Sequence, residues 1–193
     1  MLLINMELKT KSLILRELKE SDAQSIAENA NNVNVSKYLL AVSYPYSLKD
    51  AESFIHSTME AAKKVPRTQY DFGITLGNER EAVGMISVEK IKIEDGSCTI
   101  GYWLGEGYHR KRYMTEAFGR VIEFSFMELK LNRINIAAFA ENEGSNTLIH
   151  NAKFELDRTL KQHVRDKATG SLHDENHYYL LRDRYMSGKR SKG

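Results

Sequence analysis

The sequence predicts a mixed α/β fold: a mostly antiparallel central sheet with one splayed parallel pair and helices on both faces. Three observations predict it. Tyr70, Phe72, Ile74 and Leu76 alternate with smaller or polar residues. Two more strand-like runs follow across tight connections at 77–80 and 95–96, which implies an antiparallel meander. Met114, Ala117, Phe118, Val121 and Ile122 then recur at helical spacing, ahead of a strand-like run at 134–139. Strand, helix, strand over this length is a crossover, so the strands ending at Leu104 and Phe139 are expected to be parallel and adjacent. Last, residues 154–160 and 176–182 read as a closing hairpin with a long loop between them.

Each element has a local cause. Residues 12–16 form a short strand. Ser21-Asp22-Ala23-Gln24 reads as a capping box, opening a helix with Ala23, Ile26, Ala27 and Ala30 on one face. Ser43-Tyr44-Pro45-Tyr46 is an aromatic, turn-like loop. Ser47-Leu48-Lys49-Asp50 caps the next helix, which buries Ala51, Phe54, Ile55 and Ala62. The meander strands are 70–76, 82–91 and 98–104, and the crossover helix starts at Met114 and runs to Lys130. A short helix from Asn142 to Ala152 turns Leu148, Ile149 and Ala152 inward. No repeat or low-complexity segment is visible. Residues 1–186 are expected to be one domain and 187–193 a disordered tail.

Bulk properties exclude several classes. With 193 residues, 41% hydrophobic and 28% charged, the chain can build a core and a wet surface. A net charge of +2 leaves no global nucleic-acid footprint, so no direct nucleic-acid binding is expected and any basic patch is local. The single cysteine, Cys98, excludes an intrachain disulfide and fits a reducing compartment. The apolar start is too short for a membrane span and lacks the basic region of a signal peptide, so a cytoplasmic protein without a membrane partner is expected.

The most informative stretch is Gly101-Tyr102-Trp103-Leu104-Gly105-Glu106-Gly107-Tyr108-His109-Arg110-Lys111-Arg112-Tyr113-Met114-Thr115-Glu116-Ala117. A strand ends in a glycine-punctuated basic loop that runs straight into an amphipathic helix. Unpaired N–H groups at a helix start attract anions, and here a histidine, two arginines and a lysine stand beside them. A splayed parallel pair would leave room for an extended ligand with its phosphates on this loop. Asn142 and Ser145 fall just past the C-terminal end of the second parallel strand, where ligands bind in open α/β sheets.

These residues carry a resemblance. The chain resembles the GNAT superfamily of acyl-CoA N-acyltransferases. Within it, the chain is similar to the Rim-type (RimJ/RimL) enzymes that acetylate the α-amine of ribosomal proteins. The likeness spans nearly the whole chain. It rests on Leu13-Ile14-Leu15-Arg16-Glu17-Leu18 with Ser21-Asp22-Ala23, on Tyr44-Pro45-Tyr46 with Asp50-Ala51 and Phe54-Ile55, and on Ile100-Gly101-Tyr102-Trp103-Leu104. It continues through Tyr113-Met114-Thr115-Glu116-Ala117, Asn132-Arg133-Ile134 and Asn142-Glu143-Gly144-Ser145, and ends with Phe154, Leu156-Asp157, His173-Asp174 and Tyr178. The resemblance implies acetyl-CoA as donor and a primary amine as acceptor, a protein N-terminus foremost. By the family's pattern, backbone groups of Trp103 and Leu104 pair with the pantetheine arm. The loop His109, Arg110, Lys111, Arg112, Tyr113 and Met114 holds the pyrophosphate. Asn142 contacts the cofactor arm, Ser145 lies near the thioester sulfur, and Asp157 stands where a glutamate is proposed as general base.

The chemistry fits these roles. The attacking amine must be neutral, and an α-amine with a pKa of roughly 7.7–8.0 needs only a modest base. The leaving thiolate wants a proton, which the Ser145 hydroxyl could relay, with Tyr102 and Tyr108 as rivals. Four positions depart from the family pattern: Arg110 and Arg112 replace loop glycines, Thr99 replaces a carboxylate ahead of Ile100-Gly101-Tyr102, and Lys153 replaces a glycine. These departures motivate a rival reading, a binding module whose groove is blocked by arginine. A second rival is an acetyltransferase of a small amine such as a polyamine or aminoglycoside, with a closed acidic pocket. Plainer roles compete too: a solvated charge run for 110–112, helix capping for Asn142 and Ser145, a simple ion pair for Asp157. The His173-Asp174-Glu175-Asn176-His177 run invites a metal reading, but lies in a turn entering a strand without a supporting ligand, so no metal is expected. Oligomeric state stays open, a homodimer included.

Overall fold

The computed structural model describes residues 6–77 and 81–190. Eight strands form one sheet: β1 (Glu7–Lys9), β2 (Leu13–Glu17), β3 (Tyr70–Leu76), β4 (Gly84–Lys92), β5 (Ser97–Leu104), β6 (Arg133–Phe139), β7 (Glu155–Arg165) and β8 (Leu172–Leu181). Their spatial order is β1-β2-β3-β4-β5-β6-β8-β7, and every neighbouring pair is antiparallel except β5 with β6. The expected meander and crossover are both present. Part of the first expected turn, 78–80, lies outside the described residues, as do 1–5 and 191–193.

The parallel pair is short. Its register covers only Ser97↔Arg133, Cys98↔Ile134 and Thr99↔Asn135. Beyond Thr99 the two strands part, so from Ile100 onward β5 has no strand partner on its β6 side. This is the splay expected from the crossover.

Helices cover both faces. On one face sit α4 (Tyr113–Glu123), a π-helical turn Phe124–Glu128, and α5 (Glu143–Asn151). Ala117, Phe118, Val121 and Ile122 of α4 are buried against Ile86, Val88, Ile100 and Ile134, in the register the helical spacing predicts. On the other face, α1 (Ala23–Ala30) and α3 (Leu48–Ala62) pack Ile26, Ala27, Ala51 and Ile55 around Leu18, Ala82 and Met85. Met85 and Ile86 enter opposite clusters because successive strand side chains alternate faces.

Several local expectations change. Asp22 rather than Ser21 stands at the N-cap position of the first helix, and its side chain bonds back to the preceding turn instead of capping the helix. Ser21 is exposed, whereas Asp22 is fully buried and accepts from the Lys19 N–H at 2.7 Å. The Ser47–Asp50 box forms as expected, with Ser47 N–H donating to Asp50 Oδ2 at 2.8 Å and Asp50 N–H to Ser47 Oγ at 3.2 Å. Strand β1 and the short helix α2 (Val33–Ser36) had no forecast. The last hairpin is longer and its loop shorter than expected, because the strands tolerate two register shifts, between Leu156 and Arg158 and between Leu160 and Val164. The final helix α6 (Arg182–Arg190) takes in residues 187–190 of the expected disordered tail.

Candidate functional site

A cleft of about 1600 Å³ runs from the loop before α4, across the splay, to the β7–β8 hairpin. Arg110 and Arg112 line one end, Tyr102 and Ser145 the middle, Arg158 and His163 the far end.

The loop expected to bind an anion has an unexpected backbone. Arg110 and Arg112 adopt φ of 61° and 65°, the left-handed region that glycine occupies without cost. The two arginines therefore reproduce a glycine-loop shape under strain, at the positions where the family pattern carries glycine. Arg112 is also the residue before α4 and gives it no side-chain cap, which leaves the first-turn N–H groups facing the cleft end. Both arginine side chains are exposed. Lys111 Nζ stands 5.5 Å from the Tyr108 ring, and Tyr113 and Met114 line the cleft. His109 Nε2 is 2.8 Å from the Leu104 carbonyl, which ties the loop to the end of β5. Exchanging Arg112→Gly should relieve roughly 1 kcal/mol of left-handed strain and raise the melting temperature. If the guanidinium clamps phosphate, as the resemblance implies, the same variant should bind acetyl-CoA several-fold more weakly by calorimetry, with the loss shrinking at high salt.

The groove wall corrects one assignment. The Gly105 N–H bonds the Val83 carbonyl at 2.9 Å, which sets the phase of the β4–β5 ladder. Gly84↔Leu104 is then a pair without direct bonds, and Met85↔Trp103 a bonded one. Backbone groups of Tyr102 and Leu104 therefore point into the splay, while those of Trp103 are spent on Met85. The Trp103 side chain packs on the Met85 cluster instead. Gly84 permits this pairing, since a Cβ there would stand 2.5 Å from the Trp103 carbonyl.

At the centre, the Tyr102 hydroxyl and Ser145 Oγ lie 2.7 Å apart. Burial pushes the Tyr102 phenol up to about 12, with the Ser145 hydrogen bond partly opposing. Its ring stands edge-on to Phe118 at 5.3 Å. The serine and one of its two rival tyrosines thus form a single unit. Asn142 Oδ1 accepts from Ser145 N–H at 3.1 Å, so this residue caps α5 and holds the serine in place. Asn146, which has no sequence signal, secures the same helix start. Its Nδ2 donates to the Phe139 and Asn142 carbonyls at 2.9 and 2.7 Å, and its Oδ1 accepts from Tyr178 at 2.6 Å.

Asp157 lines the cleft on β7, at the register shift, with its carboxylate 2.9 Å from Arg158. Two carboxylates missed in the sequence line the sheet floor. Glu89 is the cross-strand partner of Thr99, the position where the family pattern has a carboxylate. It reaches over the central strand: a Cβ on Gly101 would come 2.8 Å from Glu89 Oε1. Behind it Asp71 is buried, and burial raises its carboxyl to about 6, with the Glu89 and Glu17 charges adding to the rise. Only cross-strand register reveals this pair.

The histidine-rich segment divides. His173 bonds Asp166 Oδ2 at 2.8 Å and also Glu141. His177 Nε2 lies 2.7 Å from Glu175 Oε2. The two therefore do not converge. No helix among the described residues is long and apolar enough to cross a membrane.

Comparison with known proteins agrees with the fold. The family described as "Acetyltransferase (GNAT) domain" matches residues 12–155. The chain is 28% identical over 181 residues to "Uncharacterized N-acetyltransferase YoaA" of Bacillus subtilis (strain 168), covering 92% of this chain and 97% of that protein. It is 25% identical over 179 residues to "Putative ribosomal N-acetyltransferase YdaF" of the same strain, covering 92% and 95%. Among solved structures, RimL, the ribosomal L7/L12 alpha-N-protein acetyltransferase in complex with coenzyme A, superposes with a TM-score of 0.81 at 20% identity over 93% of this chain and 99% of that one.

Proposed function

We propose that this chain, which belongs to the acetyltransferase (GNAT) family, acetylates the α-amine of a protein N-terminus. The chain is an N-acetyltransferase, and acetyl-CoA is its donor. The observation that carries the finer reading is the cleft. At about 1600 Å³ it exceeds the roughly 300–1,000 Å³ of a small-ligand pocket and has room for a cofactor arm and a peptide end together. The similarity to a protein named as a ribosomal N-acetyltransferase supports the same acceptor class.

The residues divide the work as follows. The loop 109–114 and the α4 N-terminus hold the pyrophosphate. The groove-facing backbone of Tyr102 and Leu104 meets the pantetheine arm as an added strand would. Tyr102 and Ser145 serve the leaving sulfur. Glu89 takes the proton of the incoming amine, with Asp71 behind it. Asp157, beside Arg158 at the cleft's far end, gathers the acceptor. Exchanging Glu89→Gln should lower kcat/KM on the order of 10²-fold or more. Adding Thr99→Glu in that background should restore part of it, because the two positions face each other across the ladder.

Asp71 adds a stability effect of definite sign. Its folded pKa, about 6, lies above the unfolded one, so the fold prefers the neutral acid and loses stability as pH rises through that interval. At pH 7.5, Asp71→Asn should therefore stabilise the protein, by about 1–3 kcal/mol in thermal or denaturant melts. Thiol release from acetyl-CoA, read with N-terminal peptides beside polyamines and aminoglycosides, tests the acceptor. Turnover of peptides with a free α-amine, and not of the same peptides blocked at that amine, is expected. Turnover of small amines alone would overturn the acceptor assignment.

A further inference from the structure

We infer that His163, Glu175 and His177 form a divalent-cation site, for zinc in the first place, on the β7–β8 hairpin at the far end of the cleft. Their ligand atoms all lie within 4.8 Å of one another. His177 Nε2 is 2.7 Å and His163 Nε2 3.8 Å from the same Glu175 oxygen. A tetrahedral zinc with bonds of roughly 2.1 Å keeps its ligand atoms about 3.4 Å apart, and the two spacings bracket that value. Small side-chain rotations would bring the three onto one ion. Two histidines and one carboxylate make a donor set suited to zinc, with a position left for water or a ligand.

The backbone explains the convergence. Glu175 and His177 share one face of β8 by the period of two. His163 comes from the irregular stretch of β7 between Leu160 and Val164, where Gln162 has φ of 43° and its N–H bonds Asp174 Oδ1 at 2.9 Å. Regular pairing would give Asp174 a single partner. The extra residues bring His163 beside Glu175. Glu175 is 6% exposed, so its carboxylate is held in a largely dry place, where a cation is worth more than at the surface. All three residues line the cleft. The site is independent of the acetyl-transfer assignment, since none of its members serves the sulfur, the phosphates or the amine.

The test uses the full chain without an affinity tag, stripped with chelator and titrated with Zn²⁺ alone, and with Co²⁺ as a coloured reporter. One saturable ion per chain is expected, with the visible absorption of a low-coordinate Co²⁺. Affinity should fall on acidification, because protons compete with the metal for its ligands. His163 is exposed, so His163→Ala should fold normally. Losing an outer partner of a metal costs roughly 10–100-fold, and losing this direct ligand should cost at least that. Glu175→Gln should do the same, whereas His56→Ala, on the surface of α3, should bind like the parent. Absence of saturable binding, or His163→Ala binding as tightly as the parent, overturns the assignment.

Discussion

Exchanging Tyr102→Phe should lower kcat about 10²-fold while leaving the affinity for acetyl-CoA nearly unchanged, the loss expected when one donor aimed at developing charge is removed. The magnitudes decide what the pair does. A free thiol titrates at roughly 8.5, whereas the Tyr102 phenol sits at about 12. Full proton transfer from the tyrosine to a thiolate is thus uphill by several kcal/mol. In the proposed assignment the phenol instead donates a strong hydrogen bond to the sulfur as the carbon–sulfur bond breaks, directly or through Ser145 at 2.7 Å. Ser145→Ala should cost a similar factor. The double variant should cost much less than the product, because two residues acting as one unit are not additive. The phenylalanine keeps its ring against Phe118, so melts should show little change. Steady-state thiol release on the four proteins reads the cycle, and full additivity would separate the two residues.

Asp22→Ala should destabilise the fold by about 3–5 kcal/mol, the usual cost of removing one partner of a buried ion pair. Asp22 is fully buried and accepts four hydrogen bonds: Arg16 Nη1 and Nη2 at 2.8 and 2.7 Å, Lys19 N–H at 2.7 Å and Ala82 N–H at 3.2 Å. It thereby pins the start of α1 to β2 and to the segment leading into β4. Burial by itself would raise its carboxyl; the Arg16 guanidinium and the backbone donors outweigh that and hold it below the ordinary carboxylate value. The sign follows. The contribution is complete above the unfolded pKa of about 3.9 and is lost as pH falls through the lower folded one. Urea melts at neutral pH should show the full difference between Asp22→Ala and the parent, and the gap should narrow on strong acidification.

The sheet was legible because each core strand and helix carries its own period. Residues 70–104 alternate, residues 114–122 repeat at helical spacing, and the crossover between them leaves one topology open. Strand β1 was not legible, since three residues cannot display a period and Leu8 alone points inward. Asp22 resembled an ordinary member of a capping box, and nothing local tells that Arg16 and Ala82 close over it. At the site, the loop and the α5 start were readable as motifs. Glu89 and Asp71 were not, because a cross-strand neighbour has no fixed sequence separation. The splay-facing backbone is Tyr102 and Leu104 rather than the expected Trp103 and Leu104 for a related reason: the phase of an antiparallel ladder alternates, and only a hydrogen bond such as Gly105 to Val83 reveals it. Arginine at positive φ is equally invisible in a sequence, since its intrinsic preference points elsewhere.

Among the described residues only three paired positions join the ladder of the five-stranded half of the sheet to that of its three-stranded half, although one apolar core packs against both. That makes the β5–β6 contact a seam. In the proposed function a cofactor laid along it acts as a stitch, adding the backbone partners that the diverging strands lack. Substrate binding and sheet integrity then share one free energy, and saturation at a hundred times Kd would add about 2.7 kcal/mol to stability. The amides of Tyr102 and Leu104 should be where that gain first appears, as slowed hydrogen exchange.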